Sequence, residues 1–296
     1  MNQKSESTFA RVLATGADGK HAGLVVPELA KRGAHVRGLL RQPAHADRVR
    51  QSGAAEIAIG DLEDPTSLQA ALEGADAVFY LAPAFLPHEA ELGVRFVKLA
   101  EKAGVRRFVF SSVIHPILSA LSNHQAKQPI EEALVASKME FTFLHPAMFF
   151  QNLTNSWPQV VAGGVFAEPW STETRFSRVD YRDVAEVAAI AITEDRLVDG
   201  TFELCSEGHL NRHDVAALMS EVLGRQVKVE KLEAKPDEND KQPTAMKPMF
   251  NWYDHHGLLG NALTLRTILG REPRTLRAFL AELAGNDGGL TPNIDR

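Results

Sequence analysis

Apolar residues follow two alternating rhythms along the first two thirds of this chain. Short β-branched or aromatic runs occur at Arg11-Val12-Leu13-Ala14, His35 to Leu40, Glu56 to Ile59, Ala77 to Leu81, Phe108 to Phe110 and Phe141 to Leu144. Between them lie segments with helical spacing: Leu24, Leu29 and Ala30; Leu68, Ala71 and Leu72; Leu92, Phe96, Leu99 and Ala100. Strand, helix and strand at this spacing predict right-handed βαβ units, and so an α/β fold built on a doubly wound parallel sheet covered on both faces.

The rhythm changes after Leu144. His145-Pro146 closes the strand, and an aromatic insertion follows through Phe149, Phe150, Trp157, Phe166 and Trp170, with Pro158 and Pro169 as breakers. A last unit is expected at Phe176 to Val179, a helix from Asp183 to Thr193 and a strand Thr201 to Leu204, with Asp183 as the helix N-cap. Helical patterns at Asn211 to Leu223, Met246 to His256 and Thr275 to Leu283 suggest a smaller α-rich C-terminal lobe, with a polar loop at Pro236 to Lys241 and a loose tail from Gly285. The expected division is a sheet domain over 1–152, completed by 174–205, and a lobe made of 153–173 and 206–296.

Charge narrows the possible partners. A net charge of −6 offers no basic field for nucleic acid or anionic lipid, so no direct nucleic-acid partner is expected. No apolar stretch approaches the ~20 residues of a membrane span. The polar start Met1 to Ser7 lacks the apolar core of a signal peptide, and the single Cys205 excludes an internal disulfide. A cytoplasmic protein is expected, monomer or homodimer, with Cys205 a buried small hydrophobe at a strand end.

The chemistry concentrates at carboxyl ends of strands. The first strand runs into Thr15-Gly16-Ala17-Asp18-Gly19-Lys20-His21-Ala22-Gly23, where Gly16 permits a tight turn and Gly19 lets backbone amides approach a pyrophosphate. Such a turn, opening a helix of a βαβ unit, is the context of a dinucleotide site; alone it is also a plain connection. The second strand ends in Leu40-Arg41-Gln42, with no acid for ribose hydroxyls and a cation where a 2′-phosphate would lie, which favours NADP(H) while leaving NAD(H) possible. A solvated surface arginine is the plainer reading of Arg41, and Lys20 or Arg37 could assist it. Asp61 and Leu62 are placed for the adenine rim, Asp61 alternatively as a helix cap, and Leu81-Ala82-Pro83 for the ribose and nicotinamide. Ser111 and Ser112 stand at the end of the fifth strand, where ligands of open α/β sheets bind.

These elements together resemble the NmrA-like family of atypical short-chain dehydrogenase/reductases. The likeness is carried by Thr15 to Gly19, Val36 to Arg41, Gly60-Asp61-Leu62 through Leu68, Arg107 to Ser112, Lys127 followed by Glu131, Thr142 to Asn152, Tyr181 to Ala185, and the turns at Leu223-Gly224-Arg225 and Leu269 to Pro273. It implies a Rossmann fold and a nicotinamide cofactor. The chain departs from the pattern at Ala22, in place of the third turn glycine, and at Asp18, where a neutral threonine is common. Asn123 stands where the short-chain Tyr-x-x-x-Lys pattern has its tyrosine, four residues before Lys127.

The resemblance makes Lys127 the candidate ribose-binding and catalytic group. His124, with His115, is a candidate proton donor, because imidazole titrates near neutral pH; each is otherwise a surface residue. Phe85, Phe149, Phe150, Asn152 and Trp157 are candidate substrate contacts, with Phe250, Trp252 and Tyr253 from the late lobe as further walls or simply lobe core. No metal is expected: His255 and His256 are adjacent and face different sides of a helix, and no paired ligand spacing exists. Two functions remain open. One is an NADPH-dependent reductase of an apolar conjugated acceptor such as a quinone or azo compound; the other is a non-catalytic NADP(H) sensor acting through a protein partner.

Overall fold

The computed structural model describes residues 11–83, 85, 86, 88–232 and 246–286. In chain order these form β1 (Arg11–Thr15), α1 (Val25–Lys31), β2 (His35–Leu40), α2 (Ala46–Gln51), β3 (Glu56–Ile59), α3 (Pro65–Leu72), β4 (Ala77–Leu81), α4 (Glu89–Lys102), β5 (Arg107–Ser111), α5 (Ser122–Gln125), α6 (Gln128–Val135) and β6 (Glu140–Pro146). There follow β7 (Met148–Phe149), α7 (Trp157–Gly163), β8 (Val165–Glu168), β9 (Arg178–Val179), α8 (Tyr181–Thr193), β10 (Gly200–Leu204), α9 (Arg212–Leu223), β11 (Lys228–Lys231), α10 (Met246–Tyr253), α11 (Leu263–Leu269) and α12 (Leu276–Asn286).

Seven strands make one sheet in the order β10-β6-β5-β4-β1-β2-β3, and the pairings from β3 through β6 are parallel. The order turns at β1, as in a doubly wound Rossmann sheet. Strand alternation divides the apolar residues between two faces. Leu13, Val78, Tyr80, Phe108, Phe110 and Phe143 meet Leu68, Leu72, Phe96, Val97, Ile130 and Leu134 from α3, α4 and α6. On the other face α8 packs on β4, β5, β6 and α1. Its Val184, Ala185, Val187, Ala188 and Ala191 are entirely buried. Arg107, 1% exposed at the start of β5, locks the end of α8. Its guanidinium donates to the carbonyls of Ala191, Ile192 and Glu194 and pairs with Glu140 and Asp195.

Two units divide the described residues: 11–146 with 181–203, and 147–180 with 204–286. The second holds two short parallel strand pairs, β7 with β9 and β8 with β11. Phe150, Leu153, Trp157, Val160, Phe166, Val215, Met219, Phe279 and Leu280 pack its core. Helix α9 begins with a capping box in which Asn211 and Asp214 bond each other's backbone N–H.

Several local expectations shift. Helix α8 starts at Tyr181, so Asp183 is not its N-cap; it lies buried in the first turn. The strand expected at Phe176 to Val179 reduces to the two residues of β9, Phe176 making only an isolated bridge to Leu210. Cys205 is fully buried. The polar loop Pro236 to Lys241, the opening Met1 to Ser7 and the tail beyond Asn286 lie outside the described residues. Among the described residues no helix is long and apolar enough to cross a membrane.

Candidate functional site

Within the first unit, the end of β1 is tied to its neighbours before any ligand is considered. The buried Thr15 hydroxyl accepts the Leu81 N–H at 3.3 Å, and Ala17 N–H donates to Leu39 O at 3.3 Å, so the turn is anchored to both β4 and β2. Gly16 has φ +60°, a conformation that L side chains rarely adopt. Gly19 N–H bonds Gly16 O at 2.8 Å, and a Cβ at Gly19 would lie 3.1 Å from that same oxygen. Ala22 is buried, opening the 3₁₀ turn Ala22–Leu24 that leads into α1. A Cβ built at Gly16 would sit 3.5 Å from Ala22 Cβ, in ordinary van der Waals contact, so it is the positive φ of Gly16 rather than crowding by Ala22 that favours glycine there.

The acid in the turn has a partner. Asp18 Oδ2 lies 2.6 Å from His45 Nδ1, and Arg48 donates to the Asp18 carbonyl at 2.9 Å. Asp18 is therefore held by the segment after β2, where Arg41 stands exposed at the strand's end. Arg37 does not assist: its guanidinium bonds Glu56 and the carbonyls of Ala71 and Glu73. Lys20 is exposed, with partial burial lowering its pKa. His21 packs its ring 5.3 Å from that of Tyr181; desolvation, helped by Lys20, lowers its pKa to about 4. Asp61 accepts the Glu63 N–H, whereas the cap of α3 is Asp64, which accepts from Thr66 and Ser67. Leu62 offers its carbonyl to Arg95, while Leu81 is half-buried, Ala82 buried and Pro83 exposed. Phe85, half-buried after β4, has φ +61°.

A second polar group gathers at the ends of β5 and β6. The Ser111 hydroxyl is 3.0 Å from the buried Tyr181 hydroxyl, whose pKa burial raises. Ser112 donates to Glu131 Oε1 at 2.5 Å, and His145 Nε2 lies 2.9 Å from the same oxygen. Lys127, which precedes α6, is 4% exposed and ion-paired with the equally buried Glu89 at the start of α4. Desolvation lowers the Lys127 pKa to about 8.

His124 is not a surface residue. It is 1% exposed, its Nδ1–H donates to His115 O at 3.1 Å, and desolvation lowers its pKa to about 4, so it is neutral at physiological pH. His115 itself is half-buried with φ +52°. The buried Oδ1 of Asn123 has no hydrogen-bond partner among the described residues.

The remaining aromatic candidates belong to the second unit. Phe150 and Trp157 are 1% and 4% exposed in that unit's core, and the Phe150 ring lies 5.8 Å from Phe279. Phe149 is half-buried in β7, and Asn152 is exposed. Phe250 packs tilted and Tyr253 edge-on against Trp170, and Trp252 packs tilted against His256. Among the described residues no group of three or more His, Cys, Asp or Glu could hold a metal ion.

Glu89, His45, Arg48, Glu131 as a hydrogen-bond centre, and His145 were not singled out as site residues by the pattern of the chain. The available signal was the Lys127–Glu131 spacing of four, which places both at one end of α6.

Known proteins share this architecture. The chain is 30% identical over 222 residues to an NAD(P)H azoreductase of Xenophilus azovorans, covering 73% of this chain and 75% of the relative. Its fold matches a crystal structure of an NADPH-dependent quinone oxidoreductase from Escherichia coli complexed with NADPH, with TM-score 0.81, 22% identity and coverage of 92% and 99% of the two chains. It also matches NmrA, a negative transcriptional regulator, in complex with NADP, with TM-score 0.77, 17% identity and coverage of 96% and 99%. The family model of NmrA-like proteins spans residues 8–280, and the chain belongs to the NmrA-like family.

Proposed function

We propose that this protein is an NADPH-dependent reductase of an apolar conjugated acceptor, of the quinone or azo kind. The observation that carries the cofactor assignment is the disposition of charge at the glycine turn. Its one acid, Asp18, is engaged by His45 while Arg48 and Arg41 occupy the segment after β2, so a 2′-phosphate would meet cations rather than a free carboxylate. Gly16 and Gly19 leave the turn without side chains where backbone amides must approach a pyrophosphate. Thr15, Gly16, Gly19, Lys20, His21 and Ala22 would hold the pyrophosphate side, Asp61 and Leu62 the adenine, and Leu81, Ala82, Pro83, Ser111 and Lys127 the ribose and nicotinamide. When bound, the cofactor supplies hydride; the chain supplies orientation, charge and a proton.

The acceptor class rests on the azoreductase relative and on the quinone oxidoreductase that shares the fold. Purified protein mixed with NADPH and a panel of quinones and azo compounds should oxidise the cofactor. A second reading, a non-catalytic NADP(H) sensor, is favoured by Asn123 at the tyrosine position and by the regulator among the structural neighbours. NADPH binding without turnover across a broad acceptor panel would favour it.

A further inference from the structure

We propose that His145, oriented by Glu131, is the proton donor of this reduction. The inference rests on the reductase reading and names the residue that completes it. Reducing a neutral acceptor takes a hydride and a proton, and a side chain that presents an N–H or O–H at the reacting centre speeds the proton's delivery over that from water.

Two of the groups the sequence offers for that task, His124 and Lys127, are engaged elsewhere. His124 is buried, its Nδ1–H donating to His115 O. The Lys127 ammonium is held by Glu89. Asn123, in the tyrosine's place, carries no acidic proton.

His145 stands at the carboxyl end of β6, beside the end of β5, where Ser111 pairs with Leu144 in the register and where ligands of open parallel sheets bind. Its Nε2 lies 2.9 Å from Glu131 Oε1, the oxygen that also receives the Ser112 hydroxyl at 2.5 Å. Nε2 therefore carries its hydrogen, and among the described residues Nδ1 makes no hydrogen bond. One ring nitrogen clamped by a carboxylate and the other left open is the arrangement that orients an acid–base histidine. The trio is not a hydrolytic one. Ser112 bonds Glu131 rather than the imidazole, so nothing activates its hydroxyl. Ser112 and Glu131 are positioning residues.

The step balances. The acceptor takes the hydride of NADPH with its electron pair and is reduced as the cofactor becomes NADP⁺. The Nδ1–H bond of the imidazolium breaks, its proton joins the acceptor heteroatom, and the imidazole recovers a proton from water.

His145→Gln tests this, because the amide nitrogen keeps a donor for Glu131 and removes the second nitrogen. Turnover of a neutral quinone should fall on the order of 10²–10³-fold with NADPH affinity unchanged. Reduction of a triarylmethyl cation dye, which takes hydride without a proton, should be nearly unaffected. In His145→Gly, added imidazole should restore quinone turnover, and Glu131→Gln should show a smaller loss on the same acceptor. Full quinone turnover in His145→Gln, or equal losses for quinone and dye, overturns the proton-donor role while leaving the reductase reading intact. A wild type that binds NADPH but reduces neither acceptor overturns both.

Discussion

Replacing Glu89 by Gln should destabilise the first unit strongly, and the magnitude follows from burial. Glu89 and the Lys127 side chain are 4% and 5% exposed, so removing one charge strands the other where water cannot compensate it. Breaking a buried pair by removing one partner costs about 3–5 kcal/mol, whereas replacing both partners by neutral groups of similar volume is often far milder. Glu89→Gln and Lys127→Met should each lose about that much at pH 7, and the double variant should lose less than either alone. Urea unfolding of all four proteins, followed by circular dichroism, measures the cycle. A pH series adds a check on sign. Desolvation holds folded Lys127 near 8 against 10.5 unfolded, so the unfolded chain binds more protons between those values and Lys127's contribution to stability rises with pH across that window. Glu89→Gln should therefore recover part of its loss when the pH is raised past about 8. Single-variant losses that simply add, or a Glu89→Gln protein as stable as the wild type, would refute the buried-pair reasoning.

Three further outcomes are expected. Arg41→Ala should weaken NADPH by about 1.5–3 kcal/mol and NADH far less, measured by fluorescence titration; equal losses would remove Arg41 from the 2′-phosphate. Gly19→Val should abolish binding of both dinucleotides in a folded protein, because even its Cβ would lie 3.1 Å from Gly16 O, and unchanged titration curves would take the turn out of the site. His124 has a folded pKa of about 4 against 6.5 unfolded, so its contribution to stability is complete above 6.5 and is lost, by about 3 kcal/mol, as pH falls toward 4. His124→Asn keeps a donor for His115 O without titrating and should flatten that part of an acid-unfolding profile.

What the chain determines by itself is local. The runs that became β2, β3 and β4 can be bounded to the residue, because each reads as a short apolar stretch between turn residues, whether nearly buried throughout as in β4 or half-exposed at the sheet edge as in β3. The glycine turn and Arg41 are legible for a related reason: in a βαβ unit, position in the chain dictates which end of the sheet a residue occupies. Helix α6 was harder to see, being eight residues long with Pro129 near its start, and the β8 and β11 pair joins Val165–Glu168 to Lys228–Lys231 across a span no local pattern reports. Tertiary structure alone decided which polar group meets which. Lys127 finds Glu89 38 positions away, Asp18 finds His45 27 away, and His145 finds Glu131 14 away, each on a different element. The same burial that left His124 uncharged packed Phe150 and Trp157 into the core of the second unit. Apolar periodicity records which face of an element leaves water, but a buried charge or imidazole is governed by the partner and dielectric it meets there, and those are set by elements distant in the chain.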